Sequence, residues 1–133
     1  MMIKTRLIAC LLSLVHTFIS LPAFAQIEDE ALTGVIDFHC HSGPDSRPRS
    51  VTDIEIARLT KRAGMRGLVF KNHYTMTADR AALAMHVVSG IEIFGGIALN
   101  RAVGGLNPEA VRQMVQFAGG RGKVVWLPTF DAE

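Results

Sequence analysis

From residue 35 onward, short apolar runs alternate with segments of helical periodicity. Residues 35–38 read as a strand. Thr52 with Glu55 forms a capping box that opens a helix to about Ala63, and Gly64 stops it. "GLVFK" (67–71) is a second strand. Thr77 is placed to cap a second helix, alanine-rich, through about Val87 and closed by Gly90. "IEIFGGIAL" (91–99) is a third strand whose paired glycines predict a bend or a close backbone approach. In "NPEAVRQMVQFAGG", Asn107 is the N-cap, Pro108 the first helical residue, and Gly119 lies beyond the end. Its Val111, Met114, Val115 and Ala118 fall at i, i+3, i+4 and i+7, a core-facing stripe. "KVVWLP" (123–128) is the fourth strand.

Mainly apolar strands alternating with helices imply βα units and a parallel sheet of the α/β class. An open doubly wound sheet and the N-terminal half of a (β/α) TIM-like barrel both satisfy that pattern. A closed barrel needs about 250 residues, whereas these 133 supply four strands and three helices and stop just past the fourth strand. The expectation is therefore half a TIM-like barrel, recorded as a fragment or truncated form. There is no internal repeat, low-complexity tract or linker.

The N-terminus changes the charge picture. Lys4 and Arg6 precede an apolar stretch from Leu7 to Ile19, and "AFA" (23–25) offers a small-residue cleavage site. That is the three-part pattern of a secretory signal peptide over residues 1–25, ahead of one domain over 26–133. The stretch is short for a membrane span and is interrupted by His16, Thr17 and Ser20. A periplasmic or secreted protein without a stable membrane anchor is expected. Loss of Lys4 and Arg6 cancels the formal charge of +2, so no basic footprint for nucleic acid remains. Only Cys40 survives cleavage, which leaves no internal disulfide. On a strand its side chain opposes those of its neighbours, so packing is its expected role.

The candidate chemistry begins at "VIDFHCHSGPD" (35–45). Residues i, i+2 and i+4 of a strand share a face, so Asp37, His39 and His41 project together at the strand's C-terminal end, where parallel α/β folds place their sites. Two neutral imidazoles on one rigid element are good ligands for a divalent metal. An isolated HxH is weak evidence; a second strand ending in "VFKNHYT" strengthens it by bringing Lys71 and His73 to the same rim. Lys71 is the candidate catalytic group, with pairing to a carboxylate, holding an anionic substrate, or plain solvent exposure as its alternatives. Glu92 is a candidate metal ligand, because a carboxylate in an apolar strand is costly to bury unless paired or metal-bound. Its place near the strand's start keeps a salt bridge open. Asp45, Asn100 and Arg101 are candidate substrate-binding residues, the last two suited to gripping a carboxylate or phosphate. Asp131 is a weaker candidate, and His86 is expected to pack in its helix.

"DFHCHSGPD" resembles the HxH opening of the amidohydrolase superfamily of metal-dependent hydrolases. The stretch through "KRAGMRGLVFKNH" and "GIEI" is also similar to the polymerase-and-histidinol-phosphatase (PHP) phosphoesterase family, where a helix ending "AG", a "DH" strand end and "GxE" follow HxH. The likeness reaches further, to uncharacterised amidohydrolase-like proteins carrying "FGGIALNRAVGGLNPEAV" and "KVVWLPT", and so covers nearly all of residues 34–131. Asn72 stands where the phosphatase pattern has Asp. Both families draw further ligands from later strands.

The resemblance implies a metal-activated water that cleaves an amide or ester bond of a small molecule, or alternatively a phosphoester. It implies a divalent ion held by His39 and His41, with His73 and Glu92 assisting; zinc is the first choice, manganese or iron the alternatives. A non-catalytic metal- or ligand-binding module is the reading from another class. Self-association as a homo-oligomer is left open.

Overall fold

A computed structural model describes residues 30–132, so the signal peptide expected over residues 1–25 lies outside the described residues. Four parallel strands, β1 (Ile36–Cys40), β2 (Gly67–Phe70), β3 (Glu92–Ala98) and β4 (Gly122–Trp126), form one sheet in the order β1-β2-β3-β4. Three helices connect them: α1 (Asp53–Arg62), α2 (Ala78–Val87) and α3 (Pro108–Gln116). The chain is an α/β fold of three consecutive βα units and a fourth strand.

All three helices cover one face of the sheet. Leu68 and Phe70 of β2 and Ile93 of β3 share that face and pack on Ala57, Ala81, Ala84, Val88 and Ile91. Further along β3, Ile97 and Leu99 pack on Ala78 and on Met114 of α3. Cys40 joins the first cluster, and burial, followed by the charges of Asp37 and Asp53, pushes its thiol up to about 11. It is a packing residue, as its alternate-face position predicts.

The capping box at Thr52 and Glu55 forms as expected, with the two residues bonding reciprocally. Thr77 departs from its expected role. It sits at the start of α2 but makes no capping bond; its hydroxyl donates to the Phe70 carbonyl (2.7 Å) and accepts from Gly96 N–H (2.9 Å). Fully buried between β2 and β3, it satisfies strand groups that water cannot reach. The predicted stripe on α3 also narrows. The helix ends at Gln116, Met114 is buried, Val115 is 55 % exposed and Ala118 lies outside the helix.

The paired glycines are a close approach, as predicted. A Cβ on Gly95 would collide with the Thr77 carbonyl beneath α2, and one on Gly96 with the Trp126 ring across the other face. This lets the Trp126 ring sit against β3 beside the strand ends. Among the described residues, no helix is long and apolar enough to cross a membrane.

Candidate metal centre at the strand ends

The loops after β1, β2 and β4 meet at the C-terminal edge of the sheet. The Lys71 N–H donates to the Cys40 carbonyl (2.8 Å), fixing the exit of β2 against that of β1. Loop 41–52 is closed at its base by pairing of Gly43 with Thr52. Beneath it, buried Asp53 accepts from the Ser42 hydroxyl (2.6 Å) and from both ends of the Arg80 guanidinium (2.7 Å each). Arg80 also donates to the Ser42 carbonyl (3.0 Å), so an ion pair between α1 and α2 holds the residue next to His41.

On this base, His39 and His41 bring their Nε2 atoms to 3.2 Å. The His41 ring stacks on His73, with centroids 4.7 Å apart and planes 24° from parallel. The structure thus brings together the three histidines singled out by the sequence. Lys71 joins them: it is only 3 % exposed, and its Nζ lies 3.3 Å from His39 Nε2 and 5.0 Å from the centre of the Trp126 ring.

Burial and nearby positive charge keep the His41 and His73 rings neutral. His41 is lowered to about 4 by burial, then by the positive charge of Arg49 and by His73, His39 and Lys71. Burial also lowers His73, reinforced by Lys71 and Arg49 against the opposing pull of Asp45. Burial lowers Lys71 as well. Neutral imidazole is the form that binds metal.

The donor atoms partly match an ion. Two nitrogens bound at about 2.0–2.1 Å in tetrahedral geometry lie about 3.3 Å apart, close to the observed Nε2 separation. His39 Nε2 also already attracts a cation, the Lys71 ammonium. Two features oppose immediate occupancy. Arg49 Nη2 lies 3.3 Å from His41 Nδ1 and can only donate, so that nitrogen accepts and the ring proton sits on Nε2. His73 Nδ1 is engaged with the Thr129 hydroxyl at 2.9 Å, leaving Nε2 as its uncommitted nitrogen. Accordingly, among the described residues no three His, Cys, Asp or Glu side chains are already grouped as an ion would need. The pair His39 and His41 fits a divalent metal once Arg49 releases His41.

The other candidates are placed differently. Glu92 opens β3 opposite Gly67, at the far end of the sheet from the histidines, and pairs with Arg66 at 2.6 Å. At about 3.3 Å of rise per residue the seven residues of β3 put it roughly 20 Å from the rim, so a salt bridge replaces the expected metal contact. Asp45 has a buried side chain and faces Arg49 at 2.6 Å rather than an open pocket. Burial pushes its carboxyl up, but Arg49 and the N–H groups of Ser46 and Arg47 outweigh this and hold it below the usual range. Asp45 thus aims Arg49 at His41.

Asn100 is buried, and its amide works within the protein instead of toward a substrate. Its oxygen accepts from the N–H groups of Thr129 (2.8 Å) and Phe130 (3.1 Å), and its nitrogen donates to the His73 carbonyl (3.0 Å) and Thr129 hydroxyl (3.2 Å). It clamps the β4 exit onto His73. Arg101 opens an exposed 3-10 turn (Arg101–Val103), and its N–H donates to Asp131 (2.8 Å), which ties the loop after β4 to the end of β3. His86 is exposed on α2.

Sequence reading missed Arg49, Trp126 and Thr129. The Asp45-to-Arg49 spacing of four residues was a usable signal for the first. The other two needed the register of β4 against β3, which brings the Trp126 carbonyl to Leu99 N–H. No curated protein and no solved structure matches the chain. A family of unknown function, DUF6282, matches residues 34–133, from just before β1 through the end of the site. The chain belongs to that family.

Proposed function

We propose that the chain is the N-terminal half of a (β/α) barrel and carries the metal-holding part of an exported, amidohydrolase-like hydrolase of small amides or esters. Sequential strand order with every helix on one face supports the barrel, since doubly wound sheets reverse their order and carry helices on both faces. Phe38 (63 % exposed) on β1, with Val125 (44 %) on β4 and Leu127 (72 %) just after it, are apolar groups on the outer strands that further βα units would cover.

One observation carries the functional reading: His39 and His41 aim their Nε2 atoms at a common point beside a third imidazole, at the end of the sheet where parallel α/β enzymes work. These two residues would hold the ion, with His73 adjoining through Nε2. Imidazole ligands suit zinc, with manganese or iron as alternatives. Once bound, such an ion supplies an activated water and polarises the scissile oxygen. Lys71, buried beside His39, would donate a hydrogen bond to that oxygen.

Asn72 favours an amide or ester over a phosphoester. It stands where the phosphatase pattern has Asp, and its Oδ1 accepts from Tyr74 and Thr75 N–H in a local turn (2.7 and 3.1 Å). A second reading, a non-catalytic metal- or ligand-binding module, is favoured by Asp45: the carboxylate of the loop beside the imidazoles is engaged by Arg49, not poised as a base.

Assays of the zinc-loaded protein carrying the further βα units that the barrel reading requires, on chromogenic amides, esters and phosphoesters, separate these readings. Amide or ester turnover that vanishes in His39→Ala is the expected result. Turnover confined to phosphoesters selects the PHP-type alternative, and stoichiometric metal without turnover selects the module.

A further inference from the structure

The loop after β1 carries a second arginine whose surroundings differ from those of Arg49. Arg47 Nε donates to the Tyr74 hydroxyl at 3.0 Å, and its guanidinium carbon lies 4.8 Å from the centre of the Phe130 ring. The rings of Tyr74 and Phe130 stack at 6.1 Å, and Phe130 lies 4.1 Å from the His73 ring. Loops after β1, β2 and β4 therefore meet at this guanidinium, and a single benzene ring touches both it and an imidazole of the site.

Its charge balance is distinctive. Arg49 and Arg80, at the same end of the sheet, are neutralised by Asp45 and Asp53. Among the described residues, no carboxylate forms an ion pair with Arg47. With Nε fixed by Tyr74 and one face against Phe130, its two Nη nitrogens present a planar donor fork held in a set direction. That geometry matches two oxygens of a carboxylate or phosphate, and orienting the fork beforehand reduces the entropy lost on binding.

Building on the hydrolase reading, we propose that Arg47 is the anion clamp of this site, binding an oxyanion group that the substrate carries a few bonds from its scissile bond. Tyr74 and Phe130 orient the guanidinium and wall the space between it and His73. The substrate class is thus an anionic small molecule, a carboxylate or a phosphate.

NMR-detected titrations of the metal-free full chain with acetate and, separately, inorganic phosphate at low ionic strength test this without a metal to bind the probe. Saturable shifts at Arg47, Tyr74 and Phe130 are expected with at least one probe, and Arg47→Gln should weaken that binding about tenfold, as expected for loss of charged hydrogen bonds. Tyr74→Phe keeps the charge but loosens the fork, and should weaken binding by a smaller factor. Preference for phosphate identifies a phosphorylated substrate; preference for acetate, a carboxylate. Absence of saturable binding by either probe, or wild-type affinity in Arg47→Gln, overturns the clamp. Because His39 is not part of it, anion binding that persists in His39→Ala supports the clamp even where metal binding fails.

Discussion

His39 and His41 hold their Nε2 atoms 3.2 Å apart at the exit of β1, with a buried ammonium, Lys71 Nζ, 3.3 Å from the first of them. Two imidazole nitrogens at that separation need a proton or a cation between them, since facing lone pairs repel. In the metal-free protein the proton on His41 Nε2 serves, and Arg49 at Nδ1 keeps it there.

Arg49 should therefore oppose metal binding. Arg49→Met is expected to bind zinc several-fold more tightly than the wild type and to raise the His41 pKa, since the Arg49 charge is one cause of its depression. Competition with a chromophoric chelator measures the first effect. Unchanged affinity would mean that His41 does not supply Nε2 to the ion.

Acidity should act through His41 in the metal-free protein. The ring titrates near 4 when folded, against 6.5 for the ordinary group. Between these values the unfolded chain binds a proton that the native state refuses, so this contribution to stability is full above 6.5 and falls as the pH drops toward 4. Imidazole shifts followed by NMR against pH report it, with urea midpoints as a second readout. An ordinary titration midpoint for His41 would remove the effect.

Breaking the ion pair beneath the site should unfold the rim. Arg80→Met leaves the Asp53 carboxylate buried without its partner, at a cost of about 3 kcal/mol in urea unfolding. Adding Asp53→Asn removes the stranded charge and should recover part of that loss.

Asn100→Ala deletes four hydrogen bonds that join the β4 exit to the His73 segment. A loss of about 2 kcal/mol or more is expected, because buried N–H and C=O groups lose their partners. The His73 Nδ1 resonance should also shift as Thr129 moves away. A stability change without that shift would confine Asn100 to a role in folding alone.

Much of this was legible in the sequence because strand period and strand end are local properties. The alternation in residues 35–41 and 69–73 aimed His39, His41, Lys71 and His73 at one rim, and the cap at Thr52 followed from residue type and spacing. What escaped was set by contacts between distant segments. Thr77 reads as a cap but is drawn to two strand groups it meets only in the folded sheet. Asn100 resembles a substrate ligand until the β4 exit folds over it. Glu92 has suitable chemistry at the wrong end of its strand, where Arg66 meets it. Arg47 and Arg49 are two residues apart, yet one is neutralised and the other is not, a difference that no local pattern encodes.

The most direct measurement is calorimetric titration of the metal-free protein with zinc, alongside His39→Ala and His41→Ala. One ion per chain in the wild type, with binding weakened at least about tenfold in each variant, is predicted. Wild-type zinc affinity in both variants would contradict a shared imidazole site at the end of β1.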